Sequence, residues 1–269
     1  MTQPCRFRLE PGAKSPVGSL NNNLSNIKIA TPIFGSAKAF LDRLSGSYTD
    51  LQRSRIAETY YALKASSILA MVDKICIRLL TEADSLLNWA AVSGGAVKYG
   101  ATFVPGVGFT FDGVDDYIDT GFTPVKYAIG NASIFSFLPL GIGGSGTAVM
   151  GRANGMLNRS LYPSQTSGTS ATSRVNTETS LSVSYSGSRI GLWCASEVAG
   201  QQQLHHDGTL LGESSPEISP MLNNGLNICR SAIGAHGDWA VSAWGYGAAL
   251  SAAQQATLSA AIKALHAVI

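Results

Sequence analysis

Four aspartates lie close together in the sequence, at Asp112, Asp115, Asp116 and Asp119. Carboxylates at this spacing could bind Ca²⁺, which takes about six to eight oxygen ligands from side chains, carbonyls and water. In a strand, however, Asp115 and Asp119 would share one face and Asp116 would lie on the other. Asp112 and Gly113 also form a turn signal. Two interpretations stay open: a calcium site at Asp115, Asp116 and Asp119, or a turn that the aspartates shape.

The histidines and glutamates lack the spacing that catalysis would need. His205 and His206 adjoin Asp207, but successive side chains of a strand point to opposite faces, so the two histidines cannot act at one spot. Glycoside hydrolysis needs two carboxylates across the sugar, roughly 5–10 Å apart. The glutamates after residue 82 are Glu178, Glu197, Glu213 and Glu217, and no pair shares one predicted strand. We therefore predict that the protein is not an enzyme.

Aromatic rings beside polar groups suggest a binding surface instead. A ring can stack on the apolar face of a sugar, while polar side chains bind the sugar hydroxyls. Trp239 follows the polar loop 234–238, which contains His236 and Asp238, and Tyr162 is a second candidate ring. We predict these as ligand-binding residues. The alternatives are a place in the core for each ring and turn formation for the loop.

Composition excludes several classes of protein. The 269 residues carry a formal net charge of +2, which argues against a dedicated nucleic-acid binder. The hydrophobic fraction of 45% can supply a core, and the charged fraction of 13% is about half the usual ~25%. No run approaches the ~18–20 apolar residues that span a bilayer, so we predict no membrane insertion. We expect synthesis in the cytoplasm, because no secretory signal is visible.

Residues 1–35 are predicted to form an extended arm. This region is rich in proline and includes the run Asn21-Asn22-Asn23, so neither helical nor strand periodicity is present. Its basic residues, opposed only by one glutamate, are Arg6, Arg8, Lys14 and Lys28. An arm that contacts a neighbouring subunit and a solvated tail are both compatible with this pattern.

Residues 36–88 are predicted to be helical. A short helix follows Ser36, and a longer one begins at Thr49 or Asp50. Apolar residues then recur at spacings of three, four and five, and glycine and proline are absent from 49 to 88. A break is expected near Ser66-Ser67. We predict a stalk or oligomer interface, because the apolar stripe is broad enough to dock on a sandwich or on a second copy.

From Trp89 to Ile269 the pattern is one of short strands and turns. Residues 203–206 and 209–211 flank Asp207-Gly208, a pair that favours tight hairpins. Turn signals recur at roughly ten-residue intervals, as in a β-sandwich or barrel. A final helix is predicted from Ser251 to Ala267. The cysteines lack metal-ligand spacing and are predicted to be buried thiols, although Cys194 and Cys229 could be neighbours.

Three segments resemble the concanavalin A-like/laminin-G family. Residues 111–121 (FDGVDDYIDTG) resemble the opening strand of the family, 204–210 (LHHDGTL) its hairpin, and 244–254 (WGYGAALSAAQ) its closing strand and turn. The segments occur in the order of the family and cover roughly residues 99–260. The resemblance implies a mainly β fold, a concanavalin-like jelly-roll β-sandwich at 89–269, preceded by the arm and the helical segment and followed by a short helix.

A further resemblance concerns bacteriophages. Residues 60–77 (YYALKASSILAMVDKICI), together with 108–113 (GFTFDG), resemble the helical lead-in to such sandwiches in phage virion proteins. This implies a non-enzymatic virion protein of a tail, fibre or decoration structure, bound to other virion proteins through the arm and assembled as a homo-oligomer such as a trimer. The alternative is a carbohydrate-binding module that recognises a host surface glycan.

Overall fold

The computed structural model of the protein describes residues 35–92, 95–141, 147–152, 159–163, 169–218, 225–230 and 235–269. The predicted arm, with Arg6, Arg8, Lys14 and Lys28, therefore lies outside the described residues. No helix among the described residues is long and apolar enough to cross a membrane.

The described residues form five helices and sixteen strands. The helices are α1 (Gly35–Leu41), α2 (Asp50–Ala65), α3 (Ile68–Met71), α4 (Glu82–Ser85) and α5 (Ala252–His266). The strands are β1 (Val72–Ile77), β2 (Val97–Tyr99), β3 (Thr102–Val104), β4 (Gly108–Thr110), β5 (Tyr117–Asp119), β6 (Asn131–Leu138), β7 (Met150–Arg152), β8 (Arg159–Tyr162), β9 (Ser170–Val175), β10 (Leu181–Ser184), β11 (Gly191–Val198), β12 (Gln201–His206), β13 (Thr209–Ser214), β14 (Leu226–Ile228), β15 (Ala240–Val241) and β16 (Ala243–Gly247).

The two long helices begin where their caps predict. Thr49 and Gln52 form a capping box at the start of α2, and Ser251 and Gln254 form one at the start of α5. The predicted break after α2 is confirmed, because Ser67 adopts a left-handed conformation with φ of 63°. The C-terminal helix is confirmed as well.

The strands assemble into a sandwich. Six strands form one antiparallel sheet in the order β1-β16-β6-β11-β12-β13, and seven form a second in the order β10-β9-β8-β7-β14-β5-β2. A small third sheet has the order β15-β4-β3. One apolar core contains inward residues of both large sheets, such as Ile134 and Trp193 from the first and Ile118 and Leu161 from the second. The predicted mainly β sandwich fold is confirmed.

The six-stranded sheet is apolar on its other face too. Because neighbouring side chains of a strand point to opposite faces, Phe135 points away from the core that contains Ile134. Phe135 belongs to a second core, in which apolar side chains of α2 and α5 pack, among them Ile56, Leu63 and Leu258. The helices therefore cover the outer face of this sheet.

Helix was wrongly predicted beyond Met71. Residues from Val72 to Ile77 form β1, which pairs with β16 from the far end of the chain. Side chains of Val72, Ile75 and Ile77 lie in the second core. The predicted domain boundary after residue 88 therefore does not divide the structure, and the described residues from Gly35 onward belong to one compact unit. The segment is part of the sandwich, so the predicted separate stalk is not what the described residues form.

Three cysteines are buried thiols, as predicted. Cys76 and Cys229 lie in the core between the sheets, whereas Cys194 lies in the helix-covered core. Cys194 and Cys229 are therefore not paired. Burial raises the pKa of Cys76 and of Cys194 to about 12, and it also raises the pKa of Cys229.

One buried carboxylate connects the first loop to the sandwich. Asp84 in α4 accepts hydrogen bonds from the backbone N–H and the hydroxyl of Ser45 (2.8 and 3.0 Å), from the N–H of Gly46 (3.0 Å) and from the hydroxyl of Tyr48 (2.7 Å). Burial alone would raise the pKa of Asp84, but these bonds outweigh it and lower the pKa. The ionised form of Asp84 thus stabilises the fold.

We expect Asp84→Asn to lower the free energy of unfolding by about 1–3 kcal/mol at pH 7, because buried donors lose a charged acceptor. A lowered folded-state pKa makes this stabilisation fully present above the unfolded value of about 3.9, and it is lost as the pH falls through the folded value. Urea unfolding measures the free energies of unfolding of the native and Asp84→Asn proteins. The difference between them should be smaller at pH 3 than at pH 7.

The matched control is Asp42→Asn, since the side chain of Asp42 forms an exposed ion pair with Lys38 and an exposed pair contributes little to stability. This variant should unfold like the native protein. Equal stability of the native and Asp84→Asn proteins at pH 7 would contradict the role given to Asp84.

Candidate functional site

An open cleft lies on the outer face of the seven-stranded sheet, where β2 and β5 meet. Ile118 of β5 points into the core, so the neighbouring Tyr117 points to the outer face. The cleft has a volume of about 400 Å³. Its lining residues are Tyr99, Gly100, Asp115, Tyr117, Arg230 and His236.

Two tyrosines and an arginine form a stack along one wall. Tyr99 and Tyr117 are direct partners in the pairing of β2 with β5. Their ring centroids are 4.5 Å apart and their planes differ by 12°. The Cζ atom of Arg230 lies 4.5 Å from the centroid of Tyr117. Because Tyr99 covers one face of Tyr117, the guanidinium lies over the other, and the free face of Tyr99 is left to solvent.

The stack is a rigid platform at its exposed end. Tyr99 is 45% exposed, although it is held by stacking and by strand pairing. Offset stacked rings and a cation over a ring are both favourable contacts, each of about 0.5–1.5 kcal/mol. The ring of Tyr99 therefore presents an apolar face to the cleft without needing to become ordered first.

His236 lines the cleft next to Tyr117, with ring centroids 6.1 Å apart, and is fixed by the backbone. It pairs with Arg230 in an isolated β-bridge. Its Nδ1 lies 3.1 Å from the carbonyl oxygen of Asp116. Since a carbonyl oxygen only accepts, Nδ1 carries the hydrogen and donates it. In the neutral ring Nε2 is then a hydrogen-bond acceptor.

The aspartates before β5 shape a turn. One carboxylate oxygen of Asp112 accepts from the N–H groups of Val114 (2.8 Å) and Asp115 (3.3 Å). The carboxylate of Asp116 accepts from the N–H of Asp112 (3.1 Å). The bond from Val114 is the main cause that lowers the pKa of Asp112. These contacts support the turn interpretation of the acidic sequence.

The predicted calcium ligands are only partly brought together. Carboxylate oxygens of Asp112, Asp115 and Asp116 lie within 4.8 Å of one another. Asp119 does not belong to this group, because it lies further along β5 and accepts from the N–H of Gly121 (2.8 Å). The prediction of Asp119 as a ligand beside Asp115 and Asp116 is therefore wrong. Calcium binding itself stays a prediction.

Of the predicted ligand-binding residues, only His236 lines the cleft. Trp239 is fully buried, and its Nε1 donates to the carbonyl and the hydroxyl oxygen of Thr147 (3.2 and 3.1 Å). Its ring is part of the core, so the predicted sugar platform at Trp239 is wrong. Asp238 is exposed beside Gly113, and Tyr162 is half-buried on β8; neither lines the cleft.

Sequence reasoning missed Tyr99, Tyr117 and Arg230. Alternation in Tyr117-Ile118-Asp119 places Tyr117 opposite the apolar Ile118, and this signal could have identified it as outward-facing. The pairing of Tyr99 with Tyr117 depends on the register between β2 and β5, and Arg230 comes from a distant part of the chain. Neither of these relations can be read from local periodicity.

Neither a known family model nor a curated protein matches the sequence. Solved structures do resemble the fold. Domain 4 of AbnA, a GH43 extracellular arabinanase from Geobacillus stearothermophilus in complex with arabinotriose, aligns with a TM-score of 0.52 and 12% identity, over 70% of this chain and 98% of that one.

Two other structures resemble the fold to a similar degree. A Trypanosoma rangeli sialidase has a TM-score of 0.50 and 9% identity, and the alignment covers 78% of this chain and 39% of the sialidase. The botulinum neurotoxin serotype D binding domain has a TM-score of 0.50 and 10% identity, over 71% of this chain and 52% of that one. At such identities the likeness shows the fold alone, which is a lectin-like β-sandwich.

Gly100, which lines the cleft, packs closely against Asp116. Gly100 has φ of +72°, and a Cβ on it would overlap a carboxylate oxygen of Asp116. Gly130 has φ of +80° but open space around it, and Gly95 has open space and no positive φ. We expect Gly130→Ala to cost about 1–2 kcal/mol from backbone strain alone, and Gly100→Ala to cost more because strain and overlap add.

Thermal unfolding of the three alanine variants tests this order. Gly95→Ala should be as stable as the native protein, with Gly130→Ala lower and Gly100→Ala lowest. If Gly100→Ala unfolded together with Gly130→Ala, close packing between Gly100 and Asp116 would be refuted.

Proposed function

We propose that this protein is a carbohydrate-binding module and that the cleft beside Tyr99 is its binding site. The observation that carries the proposal is the exposed ring of Tyr99, held in place by Tyr117 and Arg230. Sugar rings have an apolar C–H face that packs on such an aromatic surface. A cleft of about 400 Å³ has room for a small saccharide.

The groups around the platform match the hydroxyls of a sugar. The carboxylate of Asp115 accepts hydrogen bonds, and the guanidinium of Arg230 donates them. His236 adds an acceptor at Nε2 in its neutral form. A sugar hydroxyl both donates and accepts hydrogen bonds. The acceptors and the donor that line the cleft can therefore bind the hydroxyls of a sugar that packs on Tyr99. The rigid platform also reduces the entropy lost on binding.

The fold neighbours give this proposal a precedent. Domain 4 of AbnA was solved in complex with arabinotriose, and a Trypanosoma rangeli sialidase was solved in complex with a difluorinated nononic acid. These ligands belong to those proteins. They support the proposal only in that sandwiches of this shape occur in proteins that hold sugars.

We propose binding without catalysis. The carboxylates near the cleft come from one turn, whereas a glycosidase needs two carboxyl groups that flank the scissile bond. A general acid also needs a raised pKa, and the pKa of Asp112 is lowered by its bonds to the backbone. Asp112 and Asp116 thus serve the turn, and Asp115 is left for a ligand.

A location on a bacteriophage virion is a second part of the proposal. Its support is the resemblance of residues 60–77 and 108–113 to phage virion proteins. In this role the module would be a tail, fibre or decoration component, assembled as a homo-oligomer and attached through residues 1–35. A glycan on the host surface would be the natural ligand of the cleft.

Replacement of the platform tests the sugar-binding site. We expect Tyr99→Ala to weaken binding to a glycan array about five- to thirtyfold, since stacking of a sugar on an exposed ring contributes about 1–2 kcal/mol. Val97→Ala is the matched control, because Val97 is exposed two residues earlier on the same face of β2 and does not line the cleft.

The control should bind as the native protein does, and circular dichroism should show both variants folded. Unchanged binding by Tyr99→Ala would place the sugar site elsewhere. Full-length protein that binds no glycan on the array would refute the proposed function.

Removal of residues 1–35 tests the virion role. We expect the truncated protein to be absent from purified particles while it remains folded, because the arm is proposed to make the attachment. Full occupancy of truncated protein in the particles would contradict the arm, and absence of the intact protein from particles would contradict the virion location.

A further inference from the structure

We propose that the cleft selects neutral saccharides and rejects sugars that carry a carboxylate. This inference rests on the proposed sugar-binding function and adds the chemical class of the ligand. The carboxylates of Asp112, Asp115 and Asp116 determine the specificity through their charge.

The charge balance around the cleft is negative. Arg230 is the one lysine or arginine among the described residues that line it. Against this one positive charge stand three carboxylates whose oxygens lie within 4.8 Å of one another, and Asp115 itself lines the cleft. Like charges at such separations repel, and water screens them incompletely next to a protein surface. An anionic ligand would therefore meet a repulsive field.

Other segments of the sandwich do not reverse this balance. The stretches 93–94, 142–146, 153–158, 164–168, 219–224 and 231–234 contain no lysine, arginine, histidine, aspartate or glutamate. Lys98, next to Tyr99 in the sequence, forms an ion pair with Glu82 at 3.0 Å. Successive side chains of a strand point to opposite faces, so Lys98 and Tyr99 do not share one.

A carboxylate bound to Arg230 would be repelled by the acidic turn. The guanidinium lies with its face over Tyr117, so a ligand would reach it through the N–H groups at its edge. Any ligand carboxylate that reached its N–H groups would also approach Asp115 across the same cleft. A hydroxyl or a ring oxygen can accept hydrogen bonds from the same N–H groups without repulsion by Asp115. The arginine thus favours polar but uncharged ligands.

The backbone holds two carboxylates of the acidic turn in place. Those of Asp112 and Asp116 accept hydrogen bonds from backbone N–H groups at 2.8–3.3 Å. The same bonds lower the pKa of Asp112, which therefore stays ionised in mildly acidic solution. Asp115 can accept hydrogen bonds from two neighbouring hydroxyls through its two oxygens. The ligand class that fits is a neutral saccharide with a vicinal diol.

A glycan array with neutral and acidic saccharides, probed with full-length protein, tests the inference. The array includes oligogalacturonides as free acids and as methyl esters, in which a methyl group on each carboxyl removes the charge and leaves the sugar ring and its hydroxyls unchanged. We expect all strong ligands to be neutral, and we expect acidic saccharides to bind at least about tenfold more weakly than neutral counterparts of the same length. Equal or stronger binding of acidic saccharides would overturn the inference and leave the proposed function intact. An array without any bound glycan would refute the function, and the inference with it.

The electrostatic cause is tested by the ratio of the affinity for acidic saccharides to the affinity for neutral ones. Asp115→Asn should raise this ratio several-fold even if it weakens neutral binding, because it removes one repulsive charge and keeps the shape of the side chain. Glu178→Gln is the control, since Glu178 is exposed and does not line the cleft. Added NaCl should also raise the ratio in the native protein by screening the repulsion. A ratio that neither Asp115→Asn nor salt changes would overturn the proposal.

Discussion

The six-stranded sheet is apolar on both faces, and the rest of the fold follows from this constraint. Because successive side chains of β6 point to opposite faces, Ile134 lies in the core between the sheets and Phe135 lies in the second core. An apolar face left in water would be unfavourable by about 25 cal/mol for each Å². The second sheet covers one face, and α2 and α5 cover the other. The helices are therefore as necessary to the sandwich as its second sheet.

Local patterns predicted the elements better than they predicted their partners. The caps at Thr49 and Ser251, the break at Ser67 and the hairpin at Asp207-Gly208 all depend on neighbouring residues, and the structure forms each of them. The apolar spacing of residues 72–77 continues that of the preceding helix and therefore wrongly predicts more helix. Their strand state is set by pairing with β16, which lies far along the chain and leaves no local signal.

The site shows the same division between local and distant information. The sequence leaves a turn and a calcium site open for the aspartates, and the structure forms the turn. The sequence also predicts His236 as a binding residue, and His236 lines the cleft. The sequence does not predict the buried position of Trp239, because a large ring beside a polar loop has the same sequence pattern whether it faces solvent or the core. The stack of Tyr99, Tyr117 and Arg230 is created by strand register and by a distant segment, so only the folded chain reveals it.

The three buried thiols give the protein internal reporters of local opening. Cys194 lies under the helices, while Cys76 and Cys229 lie between the sheets. A thiol reacts as thiolate and only when a reagent can reach it, so in the closed fold all three are protected twice, by burial and by their raised pKa. Reaction at Cys194 alone would record the helices lifting from the sheet. Simultaneous reaction at all three would record loss of the whole fold. The molecule thus carries the means to distinguish partial from global unfolding without any added label.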